Sequence, residues 1–164
     1  MKARILCIGS MALLALIVTS SFARPQWDER HWRKYNKREV EQIIKNVETS
    51  ADRFRKDFDH WLDHSHFDGT DREDKFNAKV KKFEQSTNRL RHEFDLKDSW
   101  WETRNEVQKV MNEADSVSKM MRSHEFARGV EDQWRRLRSD LNKLASTYNL
   151  RFVGEEDRGR RGYR

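Results

Sequence analysis

The sequence has almost no cysteine and almost no proline. Cys7 is the only cysteine and Pro25 the only proline among 164 residues. Cys7 lies in an apolar stretch near the N-terminus, and the chain beyond that stretch carries no thiol. Disulfides, thiolate metal sites, cysteine nucleophiles and a covalently attached c-type haem are therefore excluded for the rest of the chain.

Long apolar runs are also scarce, and the longest one has the character of a leader. Two bases precede the apolar residues 5–18, and Ser21-Phe22-Ala23 supplies the small residues that signal peptidase requires before its cut. The run is shorter than the ~20 residues of a membrane-spanning helix. We expect residues 1–23 to be a signal peptide rather than a retained anchor, and the protein to be exported to the periplasm or beyond the cell.

The positive charge is concentrated in two flanking segments. The formal net charge is +6, and because residues 1–23 hold two bases and no acid, the remainder carries +4. Residues 24–38 carry +4, residues 151–164 carry +2, and residues 39–150 carry −2. A uniformly basic surface, as on a nucleic-acid-binding domain, is therefore not expected, and nucleic acid is not the expected partner.

Four segments repeat apolar side chains at spacings of three and four residues, which predicts amphipathic helices that bury one narrow face each. The first two stripes are Val40, Ile44, Val47, Ala51, Phe54, Phe58, Trp61 and Phe76, Val80, Phe83, Thr87, Leu90, Phe94. The third and fourth are Trp100, Thr103, Val107, Val110, Ala114, Val117, Met121 and Ala127, Val130, Trp134, Leu137, Leu141, Leu144, Tyr148.

Helix boundaries follow from capping residues. Asp68-Gly69-Thr70 interrupts the first pattern, and Thr70 with Glu73 predicts a capping box at the start of the second helix. Ser99 with Glu102 predicts another capping box at the start of the third helix. Short connections between long helices favour an all-α, antiparallel up-down-up-down four-helix bundle over residues 39–150, and a sustained seven-residue period predicts left-handed supercoiling.

An internal repeat links the first and second helices. Glu48, Ser50, Arg53, Arg55, Phe58 and Asp59 recur 36 positions later as Glu84, Ser86, Arg89, Arg91, Phe94 and Asp95. Each arginine faces an acid four positions on, as Arg53 faces Asp57 and Arg55 faces Asp59. This spacing predicts ion pairs along the helix edges.

Three segments of the chain carry a resemblance to known proteins. They are Phe67-Asp68-Gly69-Thr70-Asp71-Arg72-Glu73-Asp74, Phe83-Glu84-Gln85-Ser86-Thr87-Asn88-Arg89-Leu90, and Leu137-Arg138-Ser139-Asp140-Leu141 with Leu144-Ala145-Ser146-Thr147-Tyr148-Asn149-Leu150. With these segments the chain resembles an uncharacterised helical domain of exported bacterial proteins, found singly or in tandem. The resemblance spans residues 37–152 and implies a helical fold and export, but no activity, ligand or catalytic residue.

A group of histidines is the one candidate metal site. His60 and His64 stand four apart on the first predicted helix, a spacing that can place two imidazoles on one ion, and His66 follows closely. In an up-down bundle His124 belongs to the same end. The alternative is that His60 and His64 are ordinary histidines on a solvated face.

Other site chemistry has little support. Di-iron bundles use Glu-x-x-His on two helices, a motif the sequence lacks, and the apolar stripes hold no carboxylate or histidine whose pKa burial would shift. We therefore expect no cofactor and no catalytic residues.

The flanking segments are candidates for binding an anionic surface, because they interleave aromatic and basic residues. In an up-down bundle both segments leave from the same end. The alternative is that residues 24–38 and 151–164 are flexible, solubilising arms. The candidate binding residues are Trp27, Arg30, Trp32, Arg33, Lys34, Arg158, Arg160 and Arg161.

The sequence thus favours a non-catalytic, exported helical bundle that acts by binding or scaffolding in the cell envelope. The partner is unknown; an anionic envelope component or another protein is expected, and no membrane-spanning segment remains after signal cleavage. Metal binding through the histidines and anionic-surface binding through the arms are the two specific alternatives.

Overall fold

The computed structural model describes residues 34–152, and all regular secondary structure in this part of the chain is helical. A short 3-10 helix, Trp100–Thr103, leads into the third α-helix. The predicted signal peptide and most of both predicted arms lie outside the described residues. The four α-helices are α1 Lys37–Leu62, α2 Asp71–Asp95, α3 Arg104–Ser123 and α4 Arg128–Thr147.

Side chains fix the starts of α1 and α2. Asn36 and Glu39 form a reciprocal capping box, in which each side chain accepts a hydrogen bond from the other residue's backbone N–H. At α2 the Glu73 N–H donates to Thr70 Oγ1 at 3.3 Å, but the Glu73 carboxylate accepts from the backbone N–H of Gly69 instead of Thr70. Gly69 has a φ of 69°, the left-handed conformation that glycine adopts without strain, so it supports the predicted break between α1 and α2.

The apolar faces of the helices meet in one core. α1 packs against α2 and α4, α2 also packs against α3, and α3 touches α4 more sparsely. The core takes residues from all four predicted stripes, so the helical bundle is confirmed. Across residues 34–152, no helix combines the length and the apolar character that crossing a bilayer demands.

The core is wider than the predicted stripes at some positions and narrower at others. Ile43, which lies beside the first stripe, is buried, whereas Ala127 of the fourth stripe is exposed. Phe67 and Phe126 lie in the connections before α2 and α4, and both are buried. Periodicity did not find these two phenylalanines because they lie outside any helix.

The packed part of the chain reaches beyond the predicted limits of 39–150. α1 begins at Lys37, inside the segment assigned to the first arm, and Tyr35 packs against the core just ahead of it. Phe152 is 7% exposed and joins the core, although it lies in the segment assigned to the basic tail.

The edge between α1 and α2 holds a small network of charges. Arg91 forms ion pairs with Glu41 at 3.3 Å and with Asp95 at 3.2 Å, and Lys45 pairs with Glu41 at 2.8 Å. Hydrogen bonds from Lys45 and Arg91 lower the pKa of Glu41. Partial burial raises the pKa of Glu48, two turns further along α1.

These opposite shifts predict opposite effects of removing each charge. Ionised Glu41 stabilises the fold above its unfolded pKa, and this contribution is lost as the pH falls through its lowered folded pKa. Ionisation of Glu48 opposes folding as the pH rises through its raised folded pKa. At neutral pH we expect Glu41→Gln to lower the melting temperature and Glu48→Gln to raise it slightly.

The two glutamine variants serve as controls for each other, because they remove the same charge from the same helix. Thermal melts from pH 3 to pH 8 should show each difference from wild type shrinking toward the acid end, as the carboxyls become protonated. Shifts of the same sign at neutral pH would contradict this account of the two sites.

Candidate functional site

His60 and His64 lie together on the exposed surface at the end of α1. Their ring centroids are 4.5 Å apart, and His64 Nδ1 lies 2.8 Å from the backbone carbonyl oxygen of His60. Because a carbonyl oxygen only accepts hydrogen bonds, Nδ1 carries the proton in the neutral ring and Nε2 keeps its lone pair. The pair therefore offers one unprotonated nitrogen from His64 and one from His60.

The rings of His66 and His124 pack against phenylalanine rings. The His66 ring lies 3.9 Å from the ring of Phe67, and the half-buried His124 ring meets Phe76 edge-on at 4.8 Å. Phe67 also contacts His124, at 6.4 Å. His66 and His124 thus belong to the same end of the bundle, as the sequence predicted, but they pack against the phenylalanines that close it.

The four histidines do not form a complete metal site in the described part of the chain. No group of three or more histidine, cysteine, aspartate or glutamate side chains between residues 34 and 152 is arranged to hold an ion. Zinc sites in proteins use three or four protein ligands. Two neighbouring imidazoles with the remaining positions filled by water make a weak site at most.

The metal hypothesis makes a direct prediction for zinc titration of the purified protein. If His60 and His64 bind the ion, His60→Ala/His64→Ala lowers the apparent zinc affinity. His66→Ala/His124→Ala leaves it unchanged, because those rings pack against Phe67 and Phe76. Calorimetry with zinc alone gives the affinities, and equal values for wild type and the His60/His64 variant would reject the hypothesis.

The opposite end of the bundle is organised around Trp100. Its ring meets Tyr35 edge-on at 6.3 Å and Tyr148 edge-on at 5.1 Å. Tyr35 lies just ahead of α1, and Tyr148 follows α4. Trp100 therefore holds the beginning and the end of the described chain at one end of the bundle.

Buried hydroxyls complete the contact between Trp100 and Tyr148. The Tyr148 hydroxyl lies 2.8 Å from Thr103 Oγ1 and donates to the carbonyl oxygen of Trp100 at 3.1 Å. Thr103 Oγ1 donates to the same carbonyl at 2.8 Å. Burial raises the pKa of Tyr148 well above its usual range, so this phenol stays protonated and keeps its hydrogen bonds.

Removing the Tyr148 hydroxyl should weaken the fold measurably. We expect Tyr148→Phe to lower the free energy of unfolding by about 1 kcal/mol, the typical net value of a buried hydrogen bond. Thr103→Val should act similarly, and the double variant should lose less than the sum, because the two hydroxyls lie 2.8 Å apart and converge on the same carbonyl oxygen of Trp100. Urea unfolding measures all three, and strict additivity would show that the hydroxyls act independently.

Apolar and basic side chains are exposed around this end. Leu96 is 66% exposed and Trp101 is 46% exposed. Trp101 thus lies at the surface, although the preceding residue, Trp100, is buried. Lys34 Nζ lies 5.5 Å from the Tyr35 ring centroid, and Lys37 Nζ donates to the carbonyl oxygen of Lys97.

Most of the predicted anion-binding residues lie outside the described part of the chain. Lys34 is the exception, and it lies at the Trp100 end. Trp27, Arg30, Trp32, Arg33, Arg158, Arg160 and Arg161 precede residue 34 or follow residue 152. Sequence reasoning overlooked Leu96 as an exposed apolar residue, because a lone leucine between two helices carries no periodic signal.

Comparison of the chain with protein-family models, with curated proteins and with solved structures finds no match. Arguments about function therefore rest on the residues and contacts of this chain.

Proposed function

We propose that this protein is an exported, non-catalytic helical bundle that acts by binding or scaffolding in the cell envelope. Export is supported by the basic start, the apolar residues 5–18 and the Ser21-Phe22-Ala23 cleavage pattern. The absence of cysteine after Cys7 is compatible with an oxidising compartment, because the chain beyond Cys7 has no thiol that could be oxidised.

We propose an antiparallel up-down-up-down order for the four helices, with left-handed supercoiling from the seven-residue period of the apolar stripes. The support is that contacts between neighbouring helices join positions in reversed chain order. At the α1–α2 side, Lys37 contacts Lys97 and Glu41 contacts Arg91, and between α2 and α3, Lys79 contacts Ser116 and Lys82 contacts Glu113. Between α1 and α4, Ser50 contacts Asp140 and Asp57 contacts Gln133. Thr103, just before α3, contacts Tyr148, just after α4.

A non-catalytic role is supported by what the core contains. The polar residues buried in residues 34–152 are Thr87, Thr103, Ser118 and Thr147. The three threonine hydroxyls each donate to a backbone carbonyl three or four residues earlier. Such hydroxyls satisfy carbonyl groups of the helix backbone, which is a structural role.

We propose further that the Trp100 end of the bundle is the binding end and that it takes an anionic surface such as a lipid headgroup layer. The observation that carries this proposal is the contact of Trp100 with both Tyr35 and Tyr148. It attaches the basic segments 24–38 and 151–164, together +6, to one end. Exposed Trp101 and Leu96 add the apolar groups that an interface accepts.

Charge removal from the tail tests this role. Each base near an anionic surface contributes about 1 kcal/mol, so Arg158→Gln/Arg160→Gln/Arg161→Gln should weaken binding roughly 100-fold. The measurement is sedimentation of the protein with vesicles of equal parts phosphatidylglycerol and phosphatidylcholine at low ionic strength. Higher salt should weaken wild-type binding, because screening shortens the reach of exposed charges.

The matched control removes three bases from α2. Arg72, Lys75 and Lys81 are exposed, and Arg72→Gln/Lys75→Gln/Lys81→Gln makes the same change in net charge away from the Trp100 end. This variant should bind nearly as well as wild type. Equal binding by wild type and the tail variant would mean that the tail acts only as a solubilising segment.

A further inference from the structure

A groove between α1 and α4 has room for a small ligand and is lined by two arginines that form no ion pair within residues 34–152. Its volume is about 310 Å³, at the lower end of the range for small-ligand sites. Most of the lining residues are polar, and Leu137, the one apolar residue among them, is 1% exposed. The lining residues are Ser50, Arg53, Gln133, Arg136, Leu137 and Asp140, and we call this site the Arg53–Arg136 groove.

Two hydrogen bonds between the helices frame the groove. Ser50 Oγ donates to Asp140 Oδ2 at 2.9 Å, and Gln133 Nε2 donates to Asp57 Oδ2. These bonds lie seven residues apart on each helix, about 10 Å at 1.5 Å per residue. Arg53 and Arg136 fall between them, at the same level of the helix pair.

Neither arginine has an acidic partner in the described part of the chain. The spacing predicted that Arg53 would pair with Asp57, but no ion pair joins them, and Asp57 accepts from Gln133 instead. Arg136 lies four residues before Asp140, which accepts from Ser50. Arg136 Nε reaches only the backbone carbonyl oxygen of Asp132, at 3.4 Å, so most donors of both guanidinium groups remain available.

Arg53 and Arg136 are exposed and lie at the same level of the helix pair, so both guanidinium groups can bind an anion from solution. Carboxylates and phosphates match the planar fork of arginine and form two parallel hydrogen bonds to it. Asp140, at the edge of the same groove, accepts one hydrogen bond from Ser50 and keeps capacity to accept another. The groove thus presents donors for an anionic group beside an acceptor for a hydroxyl.

We propose that the Arg53–Arg136 groove binds a small organic anion that carries hydroxyl groups, of monosaccharide size. Its anionic group lies between Arg53 and Arg136, and a hydroxyl donates to Asp140. Sugar acids and sugar phosphates share this chemistry. The site is independent of the Trp100 end and of the anionic surface proposed for it.

Binding of three probes to the purified full chain tests the proposal. Glucuronate supplies a carboxylate, glucose 6-phosphate supplies a phosphate, and glucose supplies the hydroxyls alone. We expect one or both anionic probes to bind at least roughly tenfold tighter than glucose, because hydrogen bonds to charged groups are the stronger ones. The comparison of the two anions identifies which anionic group the groove prefers.

Charge-removing variants locate the binding. Arg53→Gln/Arg136→Gln should weaken binding of the preferred anion roughly tenfold or more. The control, Arg89→Gln/Arg122→Gln, removes two exposed arginines from α2 and α3, and Arg89 is the counterpart of Arg53 in the 36-residue repeat. This control should bind within about twofold of wild type, since neither arginine lines the groove.

Thermal melts separate loss of the site from loss of the fold. Without ligand, Arg53→Gln/Arg136→Gln should melt close to the wild-type temperature, because both arginines are exposed and neither forms an ion pair with another described residue. The preferred anion should raise the melting temperature of wild type and not that of this variant. The proposal is overturned if neither anion binds better than glucose, or if the groove and control variants bind the anion equally.

Discussion

The rest of this structure depends on the burial of one apolar face of each helix. Phe54 and Phe58 on α1, Phe83 on α2 and Leu141 on α4 are almost completely buried. Each such side chain contributes about 1.5–3 kcal/mol on leaving water. Because these faces use up the apolar residues of the helices, ionisable groups are displaced to the helix edges and to the two ends of the bundle.

The two ends of the bundle differ because aromatic residues serve different purposes there. At the histidine end, Phe58, Phe67, Phe76 and Phe126 pack against one another and close the core. At the other end, Trp100 joins Tyr35 to Tyr148, and its neighbour Trp101 stays exposed. The first arrangement encloses its aromatic rings, whereas the second leaves apolar surface next to the points where both basic segments attach.

The sequence predicted the helices well because their periodicity spans many turns, whereas the burial of side chains beside the stripes depends on single contacts that periodicity does not show. The stripe through Val40 and Phe58 identified the buried face of α1. It gave no reason to separate buried Ile43 from exposed Trp101, since both lie beside a stripe and only the neighbouring helix decides burial. The groove was not predicted at all, because it requires knowing which edge of α1 meets α4.

The ion pairs predicted within α1 fail for a physical reason that also creates the groove. An exposed ion pair four residues apart contributes only about 0.3–0.5 kcal/mol, so contacts with a neighbouring helix easily replace it. Asp57 accepts from Gln133 instead of pairing with Arg53, and Asp140 accepts from Ser50. In the repeated segment on α2, Arg91, the counterpart of Arg55, pairs with Asp95 and with Glu41 across the helix pair. Contacts with neighbouring helices thus neutralise Arg91 at the α1–α2 edge and leave Arg53 and Arg136 available between α1 and α4.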